Sequence, residues 1–115
     1  MKYYQGDIYW AKMISDTNNE IAHPNVIIQN EILANSRLDN VIVCGISTNM
    51  KRANEIGNVR LKKGDGNLEK ESIVVVGQIS TIKKNDLGEY IGRLSKERVE
   101  EILNGIKQQE NIRGR

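Results

Sequence analysis

Two runs of β-branched and apolar residues set the frame for this chain: N-V-I-V-C-G-I-S-T at 40–48 and S-I-V-V-V-G-Q-I-S-T-I at 72–82. Val and Ile lose side-chain freedom in a helix and pack well on a pleated surface, so each run predicts a buried strand. Residues 6–13 predict another. There Tyr9, Ala11 and Met13 share one parity and Ile8, Trp10 and Lys12 the other, so both faces are largely apolar. Shorter strands are expected near 57–62 and 89–94, with a short helical turn within 30–37. The turn Lys63-Gly64-Asp65-Gly66-Asn67 separates two of these strands. Gly77, inside the longest run, marks a bulge or a close approach. Only one segment repeats with helical period: Val99, Ile102, Leu103 and Ile106, with Ser95 as N-cap and Glu97 in the first turn. The polar tail from Gln108 to Arg115 is expected to fray. Strands and helices do not alternate, which predicts a small antiparallel barrel or sandwich with one terminal helix.

Residues 22–30, A-H-P-N-V-I-I-Q-N, hold the single histidine and the single proline of the chain. Proline is tolerated at the first position of a strand, so Pro24 is expected to open a strand over 24–29. His23 then stands at its entrance, after a polar loop over 14–22. A histidine there can titrate near neutral pH. A loop of that length is often functional.

The 115 residues suffice for one domain with one core. The net charge of +2 does not by itself announce a polyanion partner. Its distribution is uneven. Residues 51–70 carry Lys51, Arg52, Arg60, Lys62, Lys63 and Lys70 against Glu55, Asp65 and Glu69. One cysteine, Cys44, sits in an apolar run and reads as a core residue; no internal disulfide or thiolate metal site can be built from it. No apolar stretch approaches the length of a signal peptide or a membrane span, so a soluble, cytoplasmic protein is expected. The segment G-D-G-N at 64–67 lacks the lysine of a phosphate loop, and no nucleophile elbow is present. No cofactor and no metal are expected.

Four segments in order, G-D-I-Y-W (6–10), H-P-N-V-I-I-Q-N (23–30), V-I-V-C-G-I-S-T-N (41–49) and L-E-K-E-S-I-V-V-V-G-Q-I-S-T-I (68–82), resemble the MazF/PemK-type toxins of bacterial toxin–antitoxin systems. The resemblance spans nearly the whole chain and implies one toxin domain with a core over about 5–107. It implies a mainly β, SH3-like antiparallel barrel with a C-terminal α-helix and short helical turns. It further implies a homodimer, and a metal-independent endoribonuclease cutting single-stranded RNA at a short sequence. Its implied protein partner is an antitoxin. Such an enzyme deprotonates the RNA 2′-hydroxyl, stabilises the phosphate and protonates the leaving 5′-oxygen.

Carried onto this sequence, the resemblance singles out specific residues. Where the family usually has Arg-Pro, this chain has His23-Pro24. An arginine stays charged and forks onto phosphate, whereas a histidine can be neutral and act as a base. Either His23 takes over acid–base work, or the site is weakened. Ser47 and Thr48 supply hydroxyls that can donate to a phosphate oxygen, with Asn49 following. Gln78 matches a family glutamine and can read a base edge or hold the channel, while Ser80 replaces a family arginine. Lys51 and Arg52 are the candidates to restore the lost charge, and the basic run 51–63 is expected to line or flank the RNA path. Tyr9 and Trp10 are expected in core or dimer packing, with stacking on RNA bases as the other reading. The loss of two family arginines leaves a second reading open, a non-catalytic binding module or a poison of a protein target such as gyrase.

Overall fold

The computed structural model describes residues 2–14 and 20–113. Its strands are β1 (Asp7–Ile14), β2 (Glu20–Ile27), β3 (Asn40–Ser47), β4 (Val59–Leu61), β5 (Ser72–Lys83) and β6 (Leu87–Arg93). They form one antiparallel sheet in the order β4-β5-β3-β2-β1-β6. A short helix, α1 (Glu31–Ala34), joins β2 to β3, and α2 (Lys96–Arg113) follows β6. Asn30 caps α1 by accepting from the Leu33 N–H at 3.0 Å. The 14–22 loop is shorter than expected, because β1 reaches Ile14 and β2 begins at Glu20; residues 15–19 lie outside the described residues.

Both faces of the central strands are buried, as the two-sided apolar patterns require. Ile8, Val26, Cys44, Ile46 and Val74 lie in one cluster with Ile102 of α2. The alternate residues Tyr9, Ile27, Val41 and Val43 lie in a second cluster with Ala34 of α1. Each fully buried Val or Ile contributes roughly 1.5–3 kcal/mol relative to exposure, so two-sided burial makes β1, β2 and β3 the stable centre of the sheet.

The sheet curls into a half-barrel that is not closed by strand pairing, since β4 and β6 are its two ends. The turn between β4 and β5 bridges the gap instead. Asn67 Nδ2 donates to the Ile91 carbonyl of β6 at 3.0 Å. A Cβ on Gly92 would fall 2.3 Å from the Gly66 carbonyl oxygen, so only glycine admits this approach.

Gly77 meets both expectations. The β3–β5 register steps from Cys44↔Ile79 to Ile46↔Val74, two positions on β3 against five on β5, and Gly77 lies in the step. A Cβ there would also come 3.2 Å from Gln109 Oε1 of α2. The tail expected to fray is helical as far as Arg113, with Gln109 held against that glycine. Ser95 does cap α2, its Oγ accepting from the Arg98 N–H at 3.2 Å. Among the described residues, no helix is long and apolar enough to cross a membrane.

Candidate active site

The site begins with a missing hydrogen bond. The Ile28 N–H donates to Ile42 O, toward β3. Backbone groups alternate along a strand, so those of Val26 and Pro24 point the same way. Proline has no N–H, and the β2–β3 pairing ends at Asn25↔Gly45 although both strands continue. Pro24 therefore does not open its strand, which starts at Glu20. It ends a ladder. Carried two positions further, the register would set His23 opposite Ser47, and it is there that β2 and β3 part.

A groove of about 740 Å³ opens at this parting. Its wall and floor bring together His23, Pro24, Ser47, Thr48 and Asn49. Ile46, Leu68 and Ile91 supply its apolar floor, while Trp10, Glu69, Lys70, Glu89 and Tyr90 also line it. Tyr9 and Trp10 separate: Tyr9 is core, where burial raises its hydroxyl pKa above the ordinary value, whereas Trp10 is 41% exposed in the groove. Trp10 was hard to place from sequence because strand alternation fixes its face but not how far the covering core extends.

The hydroxyls differ in state. Ser47 Oγ accepts from the Asn49 N–H at 3.0 Å and keeps its own proton to donate. The Thr48 side chain is exposed and has no hydrogen-bond partner among the described residues. The Asn49 side chain accepts from the Lys51 N–H at 3.1 Å and caps the 3-10 turn Met50–Asn54. Beside His23 on the same strand face, Asn25 is fully buried and donates from Nδ2 to the His23 carbonyl at 3.1 Å. Its Oδ1 has no partner among the described residues. Asn25 escaped the sequence reading because only its burial marks it out.

Lys51, Arg52, Gln78 and Ser80 do not line the groove. The turn Met50–Asn54 carries Lys51 and Arg52 outward, and Arg52 pairs with Glu55 at 3.1 Å. That contact lowers the Glu55 carboxyl below its usual range. Gln78 lies over Gly45, where a Cβ would come 2.8 Å from Gln78 Oε1. Ser80 pairs with Val43 at the sheet centre, and its Oγ is buried without a partner among the described residues. By alternation Gln78 and Ser80 share the face of Gly45 and Val43, alongside His23 and Asn25 but away from the groove floor. The charged groups that do line the groove are Glu69 and Glu89 against Lys70, so it is not basic. Among the described residues, no three His, Cys, Asp or Glu side chains converge as a metal site.

The sequence profile of the PemK-like, MazF-like toxins of type II toxin–antitoxin systems matches residues 4–109. The chain belongs to that family. Among MazF-like relatives, the endoribonuclease MazF of Staphylococcus saprophyticus is 33% identical over 104 residues, covering 89% of this chain and 86% of that one. The solved Mycobacterium tuberculosis toxin MazF-mt6 superposes with a TM-score of 0.76 at 25% identity, covering 91% and 96% of the two chains. A mycobacterial endoribonuclease solved with its cognate antitoxin has the same fold, with a TM-score of 0.78 at 19% identity over 96% of each chain. The curled six-stranded sheet with a C-terminal helix is thus the MazF-like fold.

Proposed function

We propose that this MazF-like chain is an endoribonuclease toxin that cuts single-stranded RNA. The observation that carries the proposal is the parting of β2 and β3 at Pro24, which leaves His23 and Ser47 at the rim of one groove. His23 accepts the proton of the RNA 2′-hydroxyl. The 2′-oxygen attacks the adjacent phosphorus, and the bond to the 5′-oxygen breaks. That oxygen takes up a proton from water, and His23 later returns its own to solvent, leaving a 2′,3′-cyclic phosphate and a 5′-hydroxyl end. The Ser47 and Thr48 hydroxyls donate to the non-bridging oxygens as charge develops. Asn49 and Pro24 shape the wall, and Lys51, Arg52 and Gln78, outside the groove, contact the RNA where the strand leaves it. This chemistry uses the substrate's own nucleophile and needs no metal or cofactor.

The partners that fit this reading are single-stranded RNA in the cytoplasm, a second copy of the chain, and an antitoxin that covers the groove. The solved complex of a mycobacterial relative with its antitoxin supports the last of these. Two observations favour the alternative of a non-catalytic module: the groove carries more acid than base, and Arg52 is engaged by Glu55.

The test is cleavage of a long single-stranded transcript in the presence of chelator. Wild type is expected to leave discrete 5′-hydroxyl ends, and His23→Ala to lose roughly 100- to 10,000-fold in rate. Cutting by His23→Arg alone would mark a degenerate site. Inert RNA with both proteins would move the non-catalytic reading ahead.

A further inference from the structure

Trp10 is the single tryptophan of the chain and lies 41% exposed in the groove. Its partner across the β1–β2 ladder is Pro24. On its other side, β6 bulges. The register steps from Tyr9↔Tyr90 to Ala11↔Leu87, two positions on β1 against three on β6. Gly88 lies in the bulge, and a Cβ there would come 3.0 Å from the Trp10 carbonyl oxygen and 3.5 Å from its Cβ. The missing side chain lets β6 close onto Trp10, and the next residue, Glu89, lines the same groove as the indole. Among the described residues no hydrogen bond or ion pair engages the Glu89 carboxylate.

An unpaired carboxylate repels phosphate, so this end of the groove does not suit an RNA backbone. It suits a base. The half-exposed indole offers a stacking surface that any base can use. The carboxylate adds a filter, because its two oxygens only accept. Single-stranded RNA presents Watson–Crick edges to protein. Guanine alone carries two adjacent donors there, N1–H and the 2-amino group. Adenine and cytosine set one amino group beside an acceptor nitrogen, and uracil sets its N3–H between two carbonyls. We infer that Trp10 and Glu89 form a guanine-reading subsite, the indole stacking on the base and the carboxylate accepting from N1–H and N2–H. The inference rests on the ribonuclease reading for its place in the reaction, but base binding at Trp10 can be measured without cleavage.

Because Trp10 is the only tryptophan, its fluorescence reports directly on the subsite. The probes are 2′-fluoro hexauridylates carrying one guanosine or one inosine. They lack the attacking hydroxyl, and inosine lacks only the 2-amino group. Guanosine is expected to quench the indole at concentrations roughly ten- to a hundredfold lower than inosine, the range for a lost hydrogen bond to a charged group. Glu89→Gln, at an exposed position and checked for unchanged thermal unfolding, is expected to bring the two probes together. Equal binding of both probes by wild type, quenching by neither, or a preference that survives Glu89→Gln would each overturn the inference. Mapping cuts on a long transcript separates the two claims. Cutting without guanine-dependent quenching keeps the ribonuclease and discards the subsite; guanine-dependent quenching without cutting does the reverse.

Discussion

Ser47 and Thr48 are neighbours with the same functional group, yet the structure gives them different work. The Ser47 oxygen holds the Asn49 N–H, so Ser47→Ala removes a local hydrogen bond as well as a donor in the groove. We expect it to lose about 0.5–1.5 kcal/mol of stability along with activity, measured by urea unfolding and RNA cleavage in parallel. Thr48 has no such internal bond among the described residues. Thr48→Ala is therefore expected to lower cleavage with unfolding unchanged; a matching fall in stability would show that its hydroxyl is structural. Cys44 is the contrasting residue. It is fully buried, and its Sγ donates to the Val75 carbonyl at 3.0 Å. The thiolate is the reactive form, and burial suppresses it. Native protein at neutral pH should resist alkylation by iodoacetamide until denaturant is added.

The elements show what sequence can and cannot carry. The runs at 40–48 and 72–82 became β3 and β5 because strand formation there is written locally, in consecutive β-branched residues. The cap at Ser95 is equally local. The role of Pro24 is not. Ending the β2–β3 ladder depends on which neighbour its backbone faces, and pairing of distant segments decides that. The same reason hid the separation of Gln78 and Ser80 from the groove, and the burial of Asn25. Leu103 fits the helical period but stays exposed at the margin of the apolar face, while Ile102, Val99 and Ile106 pack into the core. Gly105 makes the point as a prediction. Ala in place of Gly inside a helix ordinarily gains about 1 kcal/mol. Here α2 crosses the β4 approach so closely that a Cβ on Gly105 would lie 2.0 Å from the Gly57 carbonyl oxygen. Backbone cannot swing aside as a side chain can, so Gly105→Ala is expected to destabilise by about 1–3 kcal/mol, as overpacking does. A gain in melting temperature would show that α2 can move away from the sheet.

At the scale of the whole molecule, the buried thiol in the middle strand ties global stability to alkaline pH. Loss of water around Cys44 pushes its pKa from an ordinary 9.0 up to about 12. Folding therefore favours the protonated thiol. Its contribution is complete below the unfolded value near 9 and is lost as pH rises toward the folded value, because only the unfolded chain can ionise in that window. The full difference is about 4 kcal/mol, and about 2 kcal/mol should be gone by roughly pH 10.5. Tyr9, also raised by burial, adds to the slope in the same direction. Comparing unfolding free energies of wild type and Cys44→Ala across pH 8–10.5 separates the two. The substitution leaves a small cavity whose cost does not vary with pH, whereas the thiol's share of the slope vanishes. Wild type should lose stability more steeply than Cys44→Ala. Parallel curves would show that the folded chain ionises Cys44 as readily as the unfolded chain, so that water reaches the thiol in the middle of the sheet.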